Sequence, residues 1–371
     1  MRVGLATVAA QWLRLGTVGF GGPPAHIALL HTLCVHKRQW ISEREFSDAI
    51  AATNLLPGPA STQLAIYCAW RVRGLVGGLV GGLCFIAPGL VAIVGLSVLL
   101  LGANPNRFVL GAAAGAGAAV AAVAVHAGAS LVPASWQRLA DARYRWIAYA
   151  VAGAAATILL GAWVAAFILL CGLIEVVVRQ RTPVPALGAV ATGGFALSGL
   201  AWVALKVGAL SYGGGFVIIP LMQSDAVDRY HWLTGDQFLY AVALGQITPG
   251  PVVHTVAVVG YAAAGVGGAL LAAAVAFAPS FVFVLAGARH FDRLRDNRSV
   301  QAFLTGAGPA AIGAILGSSV LLGLAIGHLW QVAVLAAAAV WLLVLRRGVV
   351  TGLAGAAGLG LVAAALHLPV T

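Results

Sequence analysis

Charge is what this chain has least of. Ten Asp and Glu residues occur in 371 positions, and the four charged types together make up 8% of the sequence. Average soluble proteins carry roughly three times that share, so an ordinary soluble globular chain is excluded. The acids also lack the clustering that catalysis requires. Their close pairs, Glu43/Glu45, Asp225/Asp228 and Asp292/Asp296, all fall in loops. An intramembrane phosphatase or prenyl transferase would gather carboxylates around a metal or an acid–base pair, so the chain does not read as an enzyme. Lysine is scarcer still: Lys37 and Lys206 are the only two and neither follows a glycine, so no Walker A loop and no ATP-driven pump can be read. Cys34, Cys68, Cys84 and Cys171 form no CxxC pair and lie in apolar stretches. They read as small buried side chains. His26, His31 and His36 recur every five residues, a spacing that fans them round an α-helix, so no metal site and no cofactor is expected.

Apolar residues fill the space that charge leaves, at 61% of the chain and a mean hydropathy of +0.99. Leu75–Gly102, Phe108–Val132, Ile147–Val178 and Ala269–Ala288 hold almost no charge, and about 20 apolar residues suffice to cross a bilayer as a helix. The fold class is therefore all-α and polytopic, in a lipid bilayer. The net charge of +11 is scattered between apolar spans, which fits cytoplasmic loops beside anionic lipid and not nucleic acid. Trp12, Trp40, Trp70, Trp136, Trp146 and Trp232 fall near expected interfaces and read as belt residues. Met1–Gly16 resembles a short signal sequence, but Arg14 and Gly16 already belong to a repeated block that cleavage would destroy.

That block occurs twice. Residues 14–63 laid on 206–255 without a gap give thirteen identities in fifty. Phe20-Gly21-Gly22-Pro23 falls on Tyr212-Gly213-Gly214-Gly215, Pro57-Gly58-Pro59 on Pro249-Gly250-Pro251, and Arg14 on Lys206. Residues 1–182 and 187–371 are expected to form two repeats of one functional unit, joined by a linker at 183–186. The loops give their orientation. Lys37, Arg38 and Arg44 in the first repeat face Asp225, Asp228 and Asp236 in the second, and the next loop reverses the contrast with Arg289, Arg293, Arg295 and Arg298. Under the positive-inside rule the repeats are inverted. Each is expected to cross about five times and to carry one re-entrant helical hairpin. Its arms run over 45–56 and 60–72, and over 237–248 and 252–264, with proline at each tip. Glycines spaced by four (74, 78 and 82; 111 and 115; 313 and 317) read as packing within the chain ahead of a homodimer face.

Paired breaks in duplicated apolar segments mark the binding site of a secondary transporter. Arg14 and Lys206 lie six residues before their Phe/Tyr-Gly-Gly breaks, with no acid in the adjoining spans, so both are expected to face a dianion. Helix starts after Pro23, Pro59, Gly214 and Pro251 aim backbone N–H groups and positive dipole ends into the interior. Gly21, Gly22, Gly213 and Gly214 permit close approach of backbone. Asn54 and Gln246 precede the tips, while Ser61 and Thr62, with His254 and Thr255, follow them. These six can donate to oxyanion oxygens, although membrane hydroxyls also bond their own backbone. Glu175 is expected to pair with Arg179, and Asp48 either carries a coupling proton or sits on a solvated face.

Phe20-Gly21-Gly22-Pro23-Pro24-Ala25-His26-Ile27, Leu55-Leu56-Pro57-Gly58-Pro59-Ala60-Ser61-Thr62-Gln63-Leu64-Ala65 and Gly245-Gln246-Ile247-Thr248-Pro249-Gly250-Pro251 closely resemble the chromate ion transporter family. The resemblance spans nearly the whole chain and implies export of chromate from the bacterial cytoplasm. It also implies that Gly21, Gly22, Pro23, Asn54, Pro57, Gly58, Pro59, Gln246, Pro249, Gly250 and Pro251 line or shape the path. Chromate and sulfate are near-identical tetrahedral dianions, so a sulfate carrier, or an anion channel of the same architecture, is the alternative reading.

Overall fold

The computed structural model describes residues 3–54, 56, 58–102, 105–139, 142–180, 196–211, 218–287 and 297–370. These residues are helical throughout, with short connections. The first repeat runs α1 (Leu5–Val18), α2 (Pro23–His31), α3 (Glu43–Thr53), α4 (Ala60–Leu101), α5 (Arg107–Arg138), α6 (Arg143–Leu160) and α7 (Val164–Gln180). The second runs α8 (Ala196–Leu210), α9 (Ile218–Gln223), α10 (Gly235–Ile247), α11 (Thr255–Gly287), α12 (Arg298–Leu324), α13 (Leu329–Ala339) and α14 (Val349–Ala365). Among the described residues four helices are long and apolar enough to cross a membrane: α4, α5, α12, and α11 with the turn Val252–His254 that precedes it. The protein is an all-α, multi-pass membrane protein. The expected linker at 183–186 lies outside the described residues.

The duplication is written in backbone conformation as well as in sequence. A π-helical turn closes α2 at Thr32–Lys37 and recurs after α9 at Ser224–Arg229. Gln39 and His231 then share a positive φ, at 50° and 53°. Ser42 and Thr234 cap α3 and α10 with their hydroxyls, and Asn106 and Asn297 cap α5 and α12. Both long helices break in the same place. In α4 the break falls at Arg73 and Gly74, in α11 at Ala264 and Gly265. These breaks bound helical hairpins, α3 with the first turns of α4 and α10 with those of α11, at the expected positions.

Packing does not follow the division into halves. α1 packs on α4, α4 on α11 and α11 on α8, so one bundle takes two helices from each repeat. In the other bundle α5 packs against α12, α13 and α14, while α12 packs against α6 and α7. Small residues permit these approaches. A Cβ at Gly16 would collide with the Phe85 carbonyl of α4, and one at the matching Gly208 with the Ala276 carbonyl of α11. Gly111 and Gly115 face α14, Gly313 and Gly317 face α6, and Gly78 and Gly82 meet Leu285 and Phe281. Apart from Gly74, which sits at the break in α4 with nothing beside it, the glycines of all three series serve contacts inside the chain.

Two tryptophans depart from the belt reading. Trp12 is fully buried and its indole N–H donates to the Ala65 carbonyl at 2.8 Å, which ties α1 to the hairpin arm of α4. Trp146 is also buried, and its indole N–H donates to Ser135 at 2.9 Å. A satisfied N–H lets indole enter an apolar core. Cys34, Cys68 and Cys171 are buried thiols without disulfides.

Candidate functional site

The hairpin tips cross between the halves. Gly58 and Gly250 adopt φ of 117° and 95°, a region an L side chain resists, so each tip turns on a residue without a Cβ. The first tip reaches the second half: Gly58 sits against the Gly208 carbonyl of α8 and Ser280 of α11. The second tip reaches the first half. The Gly250 N–H donates to the Gly19 carbonyl at 2.8 Å, and the Pro249 carbonyl lies against Gly89 of α4. Gly89 and Ser280 follow the matched prolines Pro88 and Pro279, each inside a long helix. The repeated Pro-small step was the sequence signal for these two receiving positions, which the motif reading passed over.

A polar lining surrounds this crossing. The His26 Nε2–H donates to the Gly19 carbonyl at 2.9 Å, and Ser61 Oγ lies 3.2 Å from His26 Nδ1, as donor to the neutral ring. His254 packs against Gly89 and Gly250, edge-on to Phe277 at 5.2 Å. It is wholly buried, the Ile86 backbone is a polar neighbour, and neither ring nitrogen meets a partner at good hydrogen-bond geometry. Thr62 Oγ1, Ser280 Oγ and Gln246 Nε2 are likewise buried and unpartnered. Leaving a polar atom buried and unsatisfied costs about 1–3 kcal/mol, so such a group of atoms is a candidate place for a ligand. Thr255 contributes nothing of this kind, because its hydroxyl donates back to the Val252 carbonyl at 2.8 Å.

Helix starts add backbone donors. α2 begins after Gly22 (φ 73°), α4 after Pro59, and the turn ahead of α11 after Pro251; none of the three has a side-chain cap. Of the other helices α3, α5, α10 and α12 have one, while α1, α6 and α14 do not. First-turn N–H groups at the interior breaks therefore stay available to an anion. Gly21 lies at the same break. Pro57, Gly213 and Gly214 lie outside the described residues.

Arg14 and Lys206 do not form the expected pair of unpartnered cations. The Lys206 ammonium donates to the Asp225 carboxylate, which is fully buried, and lies 5.9 Å from the Trp202 ring centre. A buried acid therefore stands beside Lys206, just past the end of α9, where that helix packs back on α8. Its position in the first half is occupied by Leu33, so Arg14 has no equivalent acid, and Arg14 is exposed. The expected Glu175–Arg179 pair is present at 2.7 Å; Arg145 at 3.5 Å and the Tyr149 hydroxyl at 3.1 Å join it around the buried carboxylate. Asp48 is partly buried on α3.

A cavity of about 160 Å³ opens beside the first tip. Thr53, Asn54 and Gly58 form one wall, Ser135 and Arg138 of α5 another, and Gly308 of α12 a third. Arg138, in the last turn of α5, is a cation that no motif in the sequence singles out. The matching place in the second half is filled. There α10 packs along α5, and a Cβ at Gly117, the counterpart of Gly308 in a repeated Gly-Ala-Gly, would press on the Tyr240 ring.

Broken helices that meet inside a multi-pass bundle, with unsatisfied donors at the meeting point, define a membrane transport protein. The chain belongs to the chromate transporter family, whose model matches it twice, over residues 6–176 and 198–361. It is thereby a transport protein and not an enzyme. It is 33% identical over 340 residues to the chromate transport protein of Cupriavidus metallidurans, across 86% of this chain and 82% of that one. A probable chromate transport protein of Synechococcus elongatus is 32% identical over 343 residues, 86% and 84% of the two chains. The Pseudomonas aeruginosa chromate transport protein is 30% identical over 332 residues, 82% and 78%. No solved structure matches.

Proposed function

We propose that this protein is a secondary transporter that exports chromate from the bacterial cytoplasm across the inner membrane, through two inverted repeats whose re-entrant hairpins meet at the substrate site. The observation that carries the reading is the buried crossing of the two tips, where His254, Thr62, Ser280 and Gln246 hold polar atoms without partners. Oxyanion oxygens would accept from these side chains and from the first-turn N–H groups after Pro23, Pro59 and Pro251. Gly21, Gly22, Gly58 and Gly250 keep the backbone close.

Arg138 replaces Arg14 and Lys206 as the cation that greets the substrate. It lines the open cavity with Asn54 and shares its end of the molecule with the bases that the positive-inside rule assigns to the cytoplasm. The unequal packing of α3 and α10 then makes this an inward-open arrangement. Movement of one mixed bundle against the other, closing α3 onto α12 while α10 leaves α5, would open the opposite side. Rocking of whole halves is disfavoured, because it would tear the glycine-backed contacts of α5 with α14 and α12 with α6.

Chromate uptake into inside-out vesicles tests the proposal, with sulfate as competitor. Saturable uptake, a raised KM in Arg138→Ala and a lost signal in His254→Leu at equal protein level are expected. Uptake that rises linearly with chromate would favour an anion channel, and unchanged kinetics in both variants would place the path elsewhere.

A further inference from the structure

We infer that the His31–His36–Glu43 cluster is a binding site for a first-row divalent transition ion of the zinc class, separate from the oxyanion path. On an α-helix residues five apart point in different directions. Here the chain is wound as a π-helical turn over Thr32–Lys37, with the Arg38 N–H bonded to the Leu33 carbonyl five residues back at 3.0 Å. That winding returns His36 to the face of His31, and their rings meet edge to face with centres 4.6 Å apart. The expectation that a spacing of five excludes a shared face is corrected by this turn.

Glu43, the first residue of α3, completes the set. Both of its carboxylate oxygens lie 2.9 Å from His31 Nε2. One ligand atom from each of the three side chains lies within 4.8 Å of the others. Zinc bonds to nitrogen and oxygen of about 2.0–2.2 Å require neighbouring ligands only roughly 3.3 Å apart, a closure that rotation of the exposed His36 ring supplies. Buried Phe46 packs on His31 at 5.1 Å and limits its ring, so one ligand is already oriented. Two imidazoles and one carboxylate leave a fourth position for water.

Chemistry selects the ion. Lys37, Arg38 and Arg44 flank the cluster and disfavour hard cations held by charge alone, whereas neutral imidazole bonds zinc, cobalt or nickel directly. The second half keeps the π-helical turn at Ser224–Arg229 but carries Gln223, Asp228 and Gly235 at the matching places. The winding is thus common to both repeats, and the ligand set belongs to one. A bound ion would staple the end of α2 to the start of the first hairpin arm.

Titration of zinc, followed by calorimetry, into tag-free detergent-purified protein stripped of metal tests this. One ion per chain is expected, with affinity falling at least tenfold in His36→Ala and in Glu43→Gln and no competition from magnesium. Both positions are exposed, so unchanged melting temperatures should accompany the loss. Hydrogen exchange of the Glu43–Thr53 amides should slow on zinc addition in the intact protein alone. Equal affinity in both variants, or no binding at millimolar zinc, would overturn the assignment.

Discussion

Lys206 and Asp225 show how one contact redirects a functional argument. A lone cation in an apolar helix is a binding-site candidate, whereas a cation already holding a buried carboxylate is first of all part of the scaffold. Removing one member of a buried pair typically costs about 3–5 kcal/mol, while replacing both with apolar groups is often near neutral. Lys206→Met should therefore lower the melting temperature sharply, and Lys206→Met with Asp225→Leu should recover most of the loss in a fluorescence thermal-shift assay. If the double variant is folded yet transports no chromate, the pair belongs to the transport cycle as well. His254 makes the opposite case. Its ring is buried against Phe277 while its nitrogens lack a partner at good geometry, so His254→Leu, which keeps the core filled, should abolish flux while leaving the melting temperature close to that of the parent. The motif was legible here, since the proline-flanked tips pointed to His254 and Thr62. The acid beside Lys206 was not legible, because Asp225 lies nineteen residues further along the chain and comes to Lys206 only once α9 folds back against α8, a neighbour relation that helical periodicity cannot register.

Glycine acts at the scale of the element, and in two separable ways. Gly265 has a φ of 62° but nothing near the place of a Cβ, whereas a Cβ at Gly208 would strike the Ala276 backbone. Gly265, at ψ −153°, lies in a region that essentially only glycine populates, so Gly265→Ala should cost backbone strain alone, about 1–3 kcal/mol. Gly208→Ala must instead push α8 off α11 and should leave little folded protein, with size-exclusion profiles separating the two. The hairpins themselves were readable to within about three residues, because proline dictates where an arm ends and the next begins. Which helix receives each tip was not readable. Gly89 and Ser280 acquire their roles only once α4 and α11 lie side by side, a neighbour relation that no single-helix pattern contains.

The whole molecule is asymmetric where its sequence is most nearly symmetric. Ala311 lines the open cavity and its counterpart Val120 is fully buried. In vesicles of known orientation, Ala311→Cys should react with an impermeant maleimide from the cytoplasmic side and Val120→Cys from neither. Turnover with chromate should lower the first rate and raise the second from the opposite side. Composition disclosed the membrane class and the duplication disclosed the number of parts. Their sorting into mixed bundles stayed hidden, because the apolar faces of α5 and α12 fit lipid, their own half or the other half equally well. That sorting has a consequence for ancestry and for engineering. Neither repeat encloses its own interior, so a half-length copy can be stable only in company, as one member of a pair. The covalent join at 181–195 is then a matter of stoichiometry: two half-chains made together should reassemble, and either made alone should be degraded.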